Sequence, residues 1–213
     1  IIVPDPELST AENFLYMLRG KKPTEFESLL FDMCLILHAD HGGGNNSTFT
    51  VRTVSSSGAN TYMAICSGIA SLSGHLHGGA NEAVMKMMKV LKSEVRDLTD
   101  DDEIRRYLVK ILEGKVNDRS GKIYGMGHAV YTISDPRAEI LKEWASKLAD
   151  QKSRTDEYLL LEAIERLTPK AFEIYRGVKR KICANVDLYT GLIYSMLGLS
   201  QDLYTPLFAM SRI

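Results

Sequence analysis

Only one stretch of this chain, Thr48 to Val54, alternates in polarity as a half-buried strand would, and no second stretch alternates to pair with it. A lone strand leaves its backbone donors and acceptors unsatisfied. That stretch therefore reads as helix, and the chain as all-α. The surrounding punctuation agrees. Ser9 and Glu12 form a capping-box pattern ahead of a segment that stops at Gly20. Thr24 and Glu27 repeat the device before Phe26, Leu29, Leu30, Met33 and Leu37, an apolar stripe at helical spacing. Thr99 precedes an acidic first turn, Asp100 to Glu103, which suits the positive end of a helix, and Gly114 can close that helix. Asp135-Pro136, Thr168-Pro169 and Thr205-Pro206 each place a proline just inside a helix start.

Three segments break the helical pattern: His41 to Ser47, Gly74 to Asn81, and Gly114 to Ser134. Each is rich in glycine, which permits positive φ and close backbone approach, so they read as shaped loops between helices. All five histidines (His38, His41, His75, His77 and His128) lie in or beside these loops. A rigid scaffold commonly presents functional groups on such loops, and imidazole is the usual acid–base group near neutral pH.

Composition narrows the function classes. A net charge of −1 with both signs interspersed offers neither nucleic acid nor an anionic membrane a basic face. No run approaches the roughly 20 apolar residues of a spanning helix, and Ile1-Ile-Val-Pro-Asp lacks the zones of a signal peptide. Cys34, Cys66 and Cys183 fit no metal or redox spacing and read as buried thiols in a reducing compartment, so a cytoplasmic location is expected.

Individual residues carry two readings each. His77 is followed by Gly78-Gly79-Ala80-Asn81 and then a helix beginning; a helix N-terminus lowers an imidazole's pKa, leaving a neutral ring that still donates one hydrogen bond. Arg137, in Ser-Asp-Pro-Arg, falls in a helix's first turn, where positive charge opposes the dipole. Either an anionic ligand or a neighbouring acid must compensate it. Asp187, entering Leu188, Leu192, Ile193 and Met196, reads on its own as a capping aspartate.

Four ordered segments go further. They are His38-Ala-Asp-His41-Gly-Gly-Gly-Asn-Asn-Ser, Leu76-His77-Gly-Gly-Ala-Asn81, Gly125-Met-Gly-His128-Ala-Val-Tyr with Asp135-Pro-Arg137, and Asn185-Val-Asp187-Leu-Tyr-Thr-Gly191. Together they resemble the citrate synthase family over essentially the whole chain, and Phe208-Ala-Met-Ser-Arg212 resembles the segment that follows. The resemblance implies condensation of acetyl-CoA with oxaloacetate and water to citrate and CoA, the entry to the tricarboxylic acid cycle. Asp187 is then the base, His77 the donor to the thioester carbonyl, and His128 the group that polarises the ketone. His41, Arg137 and Arg212 are the implied oxaloacetate and citrate ligands. Gly125, Met126, Gly127, Lys181 and Asn185 are the implied coenzyme A contacts. Lys181 belongs to the run Lys179-Arg180-Lys181, and where the family commonly carries basic residues after the loop histidine this chain has Ala129 and Thr132. Acetyl-CoA is a co-substrate; no tightly bound cofactor and no metal are expected.

The resemblance also implies a large helical domain represented here by residues 1–78 and 198–213, a smaller mobile helical domain over 79–197, and a homodimer. Family members run to roughly twice this length, so the N-terminal part of the large domain, and the arginine that a partner subunit's C-terminal region contributes, are expected to lie outside this sequence. Poor turnover and uncovered apolar faces follow as expectations for the chain alone. Propionyl-CoA as acyl donor (2-methylcitrate synthase) and a fragment that binds oxaloacetate or CoA without turnover are the alternatives. A metal hydrolase drawn on His38, His41, His75, His77 and Asp187 lacks recognisable ligand spacing.

Overall fold

A computed structural model describes residues 2–40, 44–74, 77–128, 131 and 133–213. Among them the regular structure is helical, with a single isolated bridge between Met126 and Ala184. The alternating stretch Thr48 to Val54 lies inside a helix, Asn46–Ser56. Its start signal decides the matter, because the Asn45 side chain accepts from the amides of Ser47 and Thr48.

The chain divides into two compact units. The first comprises the residues up to Leu72 together with Pro206–Ile213. It contains α1 (Thr10–Arg19), α2 (Glu25–Ala39), α3 (Asn46–Ser56), α4 (Thr61–Leu72) and most of α10 (Tyr204–Arg212). Both expected capping boxes form, at Ser9/Glu12 and Thr24/Glu27, and Gly20 ends α1 at φ 76°. Phe14 stacks on Phe31 at 5.3 Å and Arg19 pairs with Glu27 at 2.9 Å, fixing α1 on α2. α3 and α4 approach so closely that a Cβ on Gly68 would collide with the Val51 side chain. Leu29, Ile36, Phe49, Tyr62 and Met63 remain exposed.

The second unit, Ser73–Thr205, holds α5 (Ala80–Glu94), α6 (Asp101–Leu112), α7 (Pro136–Gln151), α8 (Thr155–Arg176), α9 (Asp187–Met196) and a 3-10 turn, Gln201–Leu203. α9 is apolar on nearly every side, which is why it is central: Leu188, Tyr189, Leu192, Ile193 and Tyr194 are fully buried, and α5 and α7 pack on it. A Cβ on Gly191 would meet Met85 at 2.8 Å and the Asn81 carbonyl at 3.0 Å, so this glycine lets α9 rest directly on α5. The unit boundaries fall at 72/73 and 205/206, whereas the resemblance implied divisions at 78/79 and 197/198. Residues 198–205 join the second unit because Tyr204 donates to the Gly191 carbonyl at 3.0 Å and Thr205 to the Gly78 carbonyl at 2.8 Å.

Some local expectations need correction. Pro169 does not open a helix; it sits inside α8, which runs unbroken from Thr155 to Arg176. Leu160, Ile164, Leu167 and Ala171 form one buried stripe across it, and the Thr168 hydroxyl donates to the Ile164 carbonyl at 2.6 Å. The packing outweighs the missing N–H. Asp100, expected in the first turn, is the N-cap of α6, which begins at Asp101. Of the three thiols, Cys34 and Cys183 are buried but Cys66 is exposed.

Candidate active site

The site assembles in the second unit where a glycine loop meets the start of α9. Gly127 donates to the Cys183 carbonyl at 2.7 Å and Asn185 to the Gly125 carbonyl at 2.9 Å, lacing residues 125–127 antiparallel to 183–185. Gly125 is required twice over. Its φ is 79°, and a Cβ there would lie 2.9 Å from the Leu188 Cα in the first turn of α9.

Asn185 completes the joint. Its Nδ2 donates to the Gly127 carbonyl at 2.9 Å, while its Oδ1 accepts the Asp187 amide at 3.0 Å. The side chain expected to contact coenzyme A is thus engaged within the protein. Asp187, which residue context read as a cap, is instead the first residue of α9, and the N-cap position is Val186. Lys181 lies exposed in the segment leading into this joint.

Beyond Gly127 the loop presents His128. The Tyr131 amide donates to its Nδ1 at 3.1 Å, and the Tyr131 ring lies 4.8 Å from the imidazole. Nδ1 is therefore an acceptor, and in the neutral ring the proton sits on Nε2. The neutral form is favoured: burial pushes the pKa of His128 below 6.5, Asp135 opposes this, and Arg137 adds to it.

Arg137 is 2% exposed, in the first turn of α7 as expected, with Asp135 as N-cap and Pro136 as the first helical residue. The neighbouring-acid reading holds for one edge of its guanidinium: Nε donates to Asp135 Oδ1 at 3.0 Å and Nη2 to Oδ2 at 2.8 Å. Burial lowers the arginine's pKa, but the bonds and charge of Asp135, with a smaller contribution from Asp187, hold it above its ordinary value. Asp187 is thus within electrostatic reach of Arg137. Asp135 was legible only as a cap; the Asp-x-Arg spacing across the helix start is the signal that it also grips the guanidinium.

Arg137 Nη2 lies 3.3 Å from His128 Nε2. With Nδ1 already accepting, both of these nitrogens are donors. Both can donate to one oxygen placed against them, and an anionic oxygen suits both.

The remaining expected residues are placed separately. His77 lies three residues before α5, its amide donating to the Gly74 carbonyl at 2.9 Å. Arg212 belongs to the first unit, where its Nε donates to the His38 carbonyl and its guanidinium lies 4.4 Å over the Phe208 ring. His38 is buried, its Nδ1 2.7 Å from the Cys34 carbonyl. His41 and His75 lie outside the described residues. Among the described residues no group of His, Cys, Asp or Glu side chains is arranged to hold a metal ion, and no helix is long and apolar enough to cross a membrane.

Fold and site together define an all-helical protein with a donor-rich polar site at the junction of a glycine loop and two helix starts. The family model for the citrate synthase C-terminal domain matches residues 1–213. A citrate synthase of Deinococcus radiodurans is 40% identical over 213 residues, covering 100% of this chain and 52% of the relative. The citrate synthase of Pyrobaculum aerophilum superposes with a TM-score of 0.80 at 33% identity, covering 100% of this chain and 49% of that one. That of Thermoplasma acidophilum, solved with carboxymethyl coenzyme A and oxaloacetate, gives 0.78 at 32% identity over 98% of this chain and 51% of its own. The chain belongs to the citrate synthase family, and it spans about half the length of the curated relatives it matches.

Proposed function

We propose that these residues form the condensing half of a citrate synthase, joining acetyl-CoA to oxaloacetate with release of citrate and CoA. The observation that carries this reading is the facing pair of donors, His128 Nε2 and Arg137 Nη2 at 3.3 Å, beside the helix that starts at Asp187. Oxaloacetate offers carboxylate and ketone oxygens that such a pair can bind. The Thermoplasma acidophilum relative binds oxaloacetate and a coenzyme A analogue together, which supports the assignment.

In this mechanism Asp187 takes a proton from the methyl group of acetyl-CoA while His77 donates a hydrogen bond to the thioester oxygen. A carboxylate is too weak a base to do this unaided, so the developing oxyanion must meet a preorganised donor. The enolic carbon attacks the ketone carbon of oxaloacetate, and His128 Nε2–H stabilises the alkoxide. Arg137, with His41 and Arg212, holds the carboxylates. Water then hydrolyses the citryl-CoA thioester. Gly125, Met126 and Gly127 offer backbone groups to coenzyme A and Lys181 a charge to its phosphates. The enzyme is proposed to be a cytoplasmic homodimer serving the tricarboxylic acid cycle, with no tightly bound cofactor. Acetyl-CoA is the proposed donor. Propionyl-CoA differs by one methylene, worth about 1–3 kcal/mol in an apolar pocket.

The test pairs calorimetric titration of oxaloacetate into the 213-residue chain with an assay of free CoA release from acetyl-CoA and from propionyl-CoA. Oxaloacetate binding that weakens in His128→Gln, and CoA release lost in Asp187→Asn, are expected. Binding without release would make the chain a ligand-holding fragment. Condensation that survives both His77→Ala and Asp187→Asn would sink the mechanism.

A further inference from the structure

Three helices of the second unit meet at one carboxylate. Glu165 on α8 accepts, on its single oxygen Oε2, the hydroxyl of Tyr189 on α9 at 2.6 Å and the ammonium of Lys142 on α7 at 2.9 Å. Lys142 also lies 3.3 Å from Glu162 Oε1. Tyr189 is 0% exposed. Burial and the bond to Glu165 push its pKa upward, so the hydroxyl remains a donor. The Tyr158 ring lies 6.2 Å from its own.

The position of Tyr189 gives this junction a bearing on chemistry. It lies two residues beyond Asp187, in the first turn of α9. Two residues turn a helix by about 200°, so the two side chains leave on nearly opposite sides. Anchoring Tyr189 therefore fixes the rotation of α9 about its axis, and with it the direction of the Asp187 carboxylate. Lys142 ties the same carboxylate to α7, whose first turn carries Arg137, and Arg137 already feels the charge of Asp187. An ionic junction of this kind adds little stability over apolar packing, but it enforces one orientation.

We infer that Tyr189 and Glu165 are positioning residues for the condensation, acting through α9 to hold Asp187 in register with the substrate site around Arg137. Neither touches substrate. The inference rests on the reading of Asp187 as the base, and its test keeps the two apart.

The measurement is made on the condensing polypeptide that contains these residues. Tyr189→Phe removes the hydroxyl and keeps the ring; Glu165→Leu removes the acceptor; Glu165→Gln keeps a neutral acceptor and rescues in part. Sub-ångström to ångström misplacement of a reacting group costs about 10- to 100-fold. Tyr189→Phe and Glu165→Leu are expected to lower kcat by about tenfold or more, leave the oxaloacetate KM within about twofold, and raise the isotope effect with trideuteroacetyl-CoA. The double variant should be no slower than the slower single one. Unchanged kcat and isotope effect in Tyr189→Phe, or in Glu165→Gln and Glu165→Leu if Tyr189→Phe does not fold, would overturn the inference, however far the melting temperature drops. Condensation persisting in Asp187→Asn would instead remove the reading beneath it.

Discussion

Replacing Asp135 by asparagine tests how the buried guanidinium is held. The Asp135 and Arg137 side chains are 0% and 3% exposed, and they share two bonds of 3.0 and 2.8 Å. Asp135 Oδ1 also accepts the Arg137 amide at 3.0 Å as the α7 cap. Removing one partner of a buried ion pair costs about 3–5 kcal/mol, because the surviving charge stays buried. Asparagine caps a helix about as well as aspartate and keeps one acceptor oxygen, so the low end, about 3 kcal/mol, is expected. In a protein of this size each kcal/mol moves the midpoint by about 2–4 °C, giving a fall of roughly 6–12 °C. Asp135→Ala loses the cap as well and should cost about 1 kcal/mol more. Urea unfolding followed by circular dichroism measures both differences. The His128 titration, read by NMR, should move further down in Asp135→Asn, since the carboxylate is the group that opposes its depression. An Asp135→Asn midpoint within about 0.5 kcal/mol of the parent, or an unmoved His128, would refute the account of this pair.

The lowered pKa of His128 makes stability depend on pH with a definite sign. The folded value lies below the ordinary 6.5, so the unfolded chain binds the extra proton: the contribution is complete above about 6.5 and declines as pH falls toward the folded value. The stability difference between about pH 7.5 and 5.5 should therefore shrink in His128→Asn, as urea melts at both pH values would show. Gly125→Ala places a Cβ 2.9 Å from the Leu188 backbone at φ 79° and should cost about 2 kcal/mol or more by the same melts, with weaker oxaloacetate binding because the loop shifts His128. Pro169→Ala restores the N–H that α8 lacks opposite the Glu165 carbonyl and should raise stability by about 1–3 kcal/mol; a loss would show that the ring's packing matters more than the missing bond.

Local chemistry made much of the fold readable. Ser9/Glu12, Thr24/Glu27, Gly20 and Asp135-Pro136 act within a few residues of themselves, and each does in the structure what its type suggests. Pro169 misled because Thr-Pro carries the same local signal at a helix start and inside a helix. Only the stripe Leu160, Ile164, Leu167 and Ala171, buried by neighbours far along the chain, separates the two cases. At the site, the histidines stood out through their glycine loops, whereas Asp187 looked like a cap until the family's ordered motifs were considered. Asn185 reaching Gly127 across 58 residues and Tyr189 reaching Glu165 across 24 left no trace in the sequence, because such pairs exist only once the helices have packed.

The joint built by Asn185 has a consequence for anyone recombining this protein with its relatives. One amide fastens the loop at Gly127 to the first amide of α9, and Gly125 leaves no room between that loop and Leu188. Residues 125–137 and 183–191 therefore behave as one exchangeable cassette, although 45 positions separate them in the chain. A crossover that takes both from one parent keeps loop and helix matched, and one that falls between them inherits two halves of different hinges.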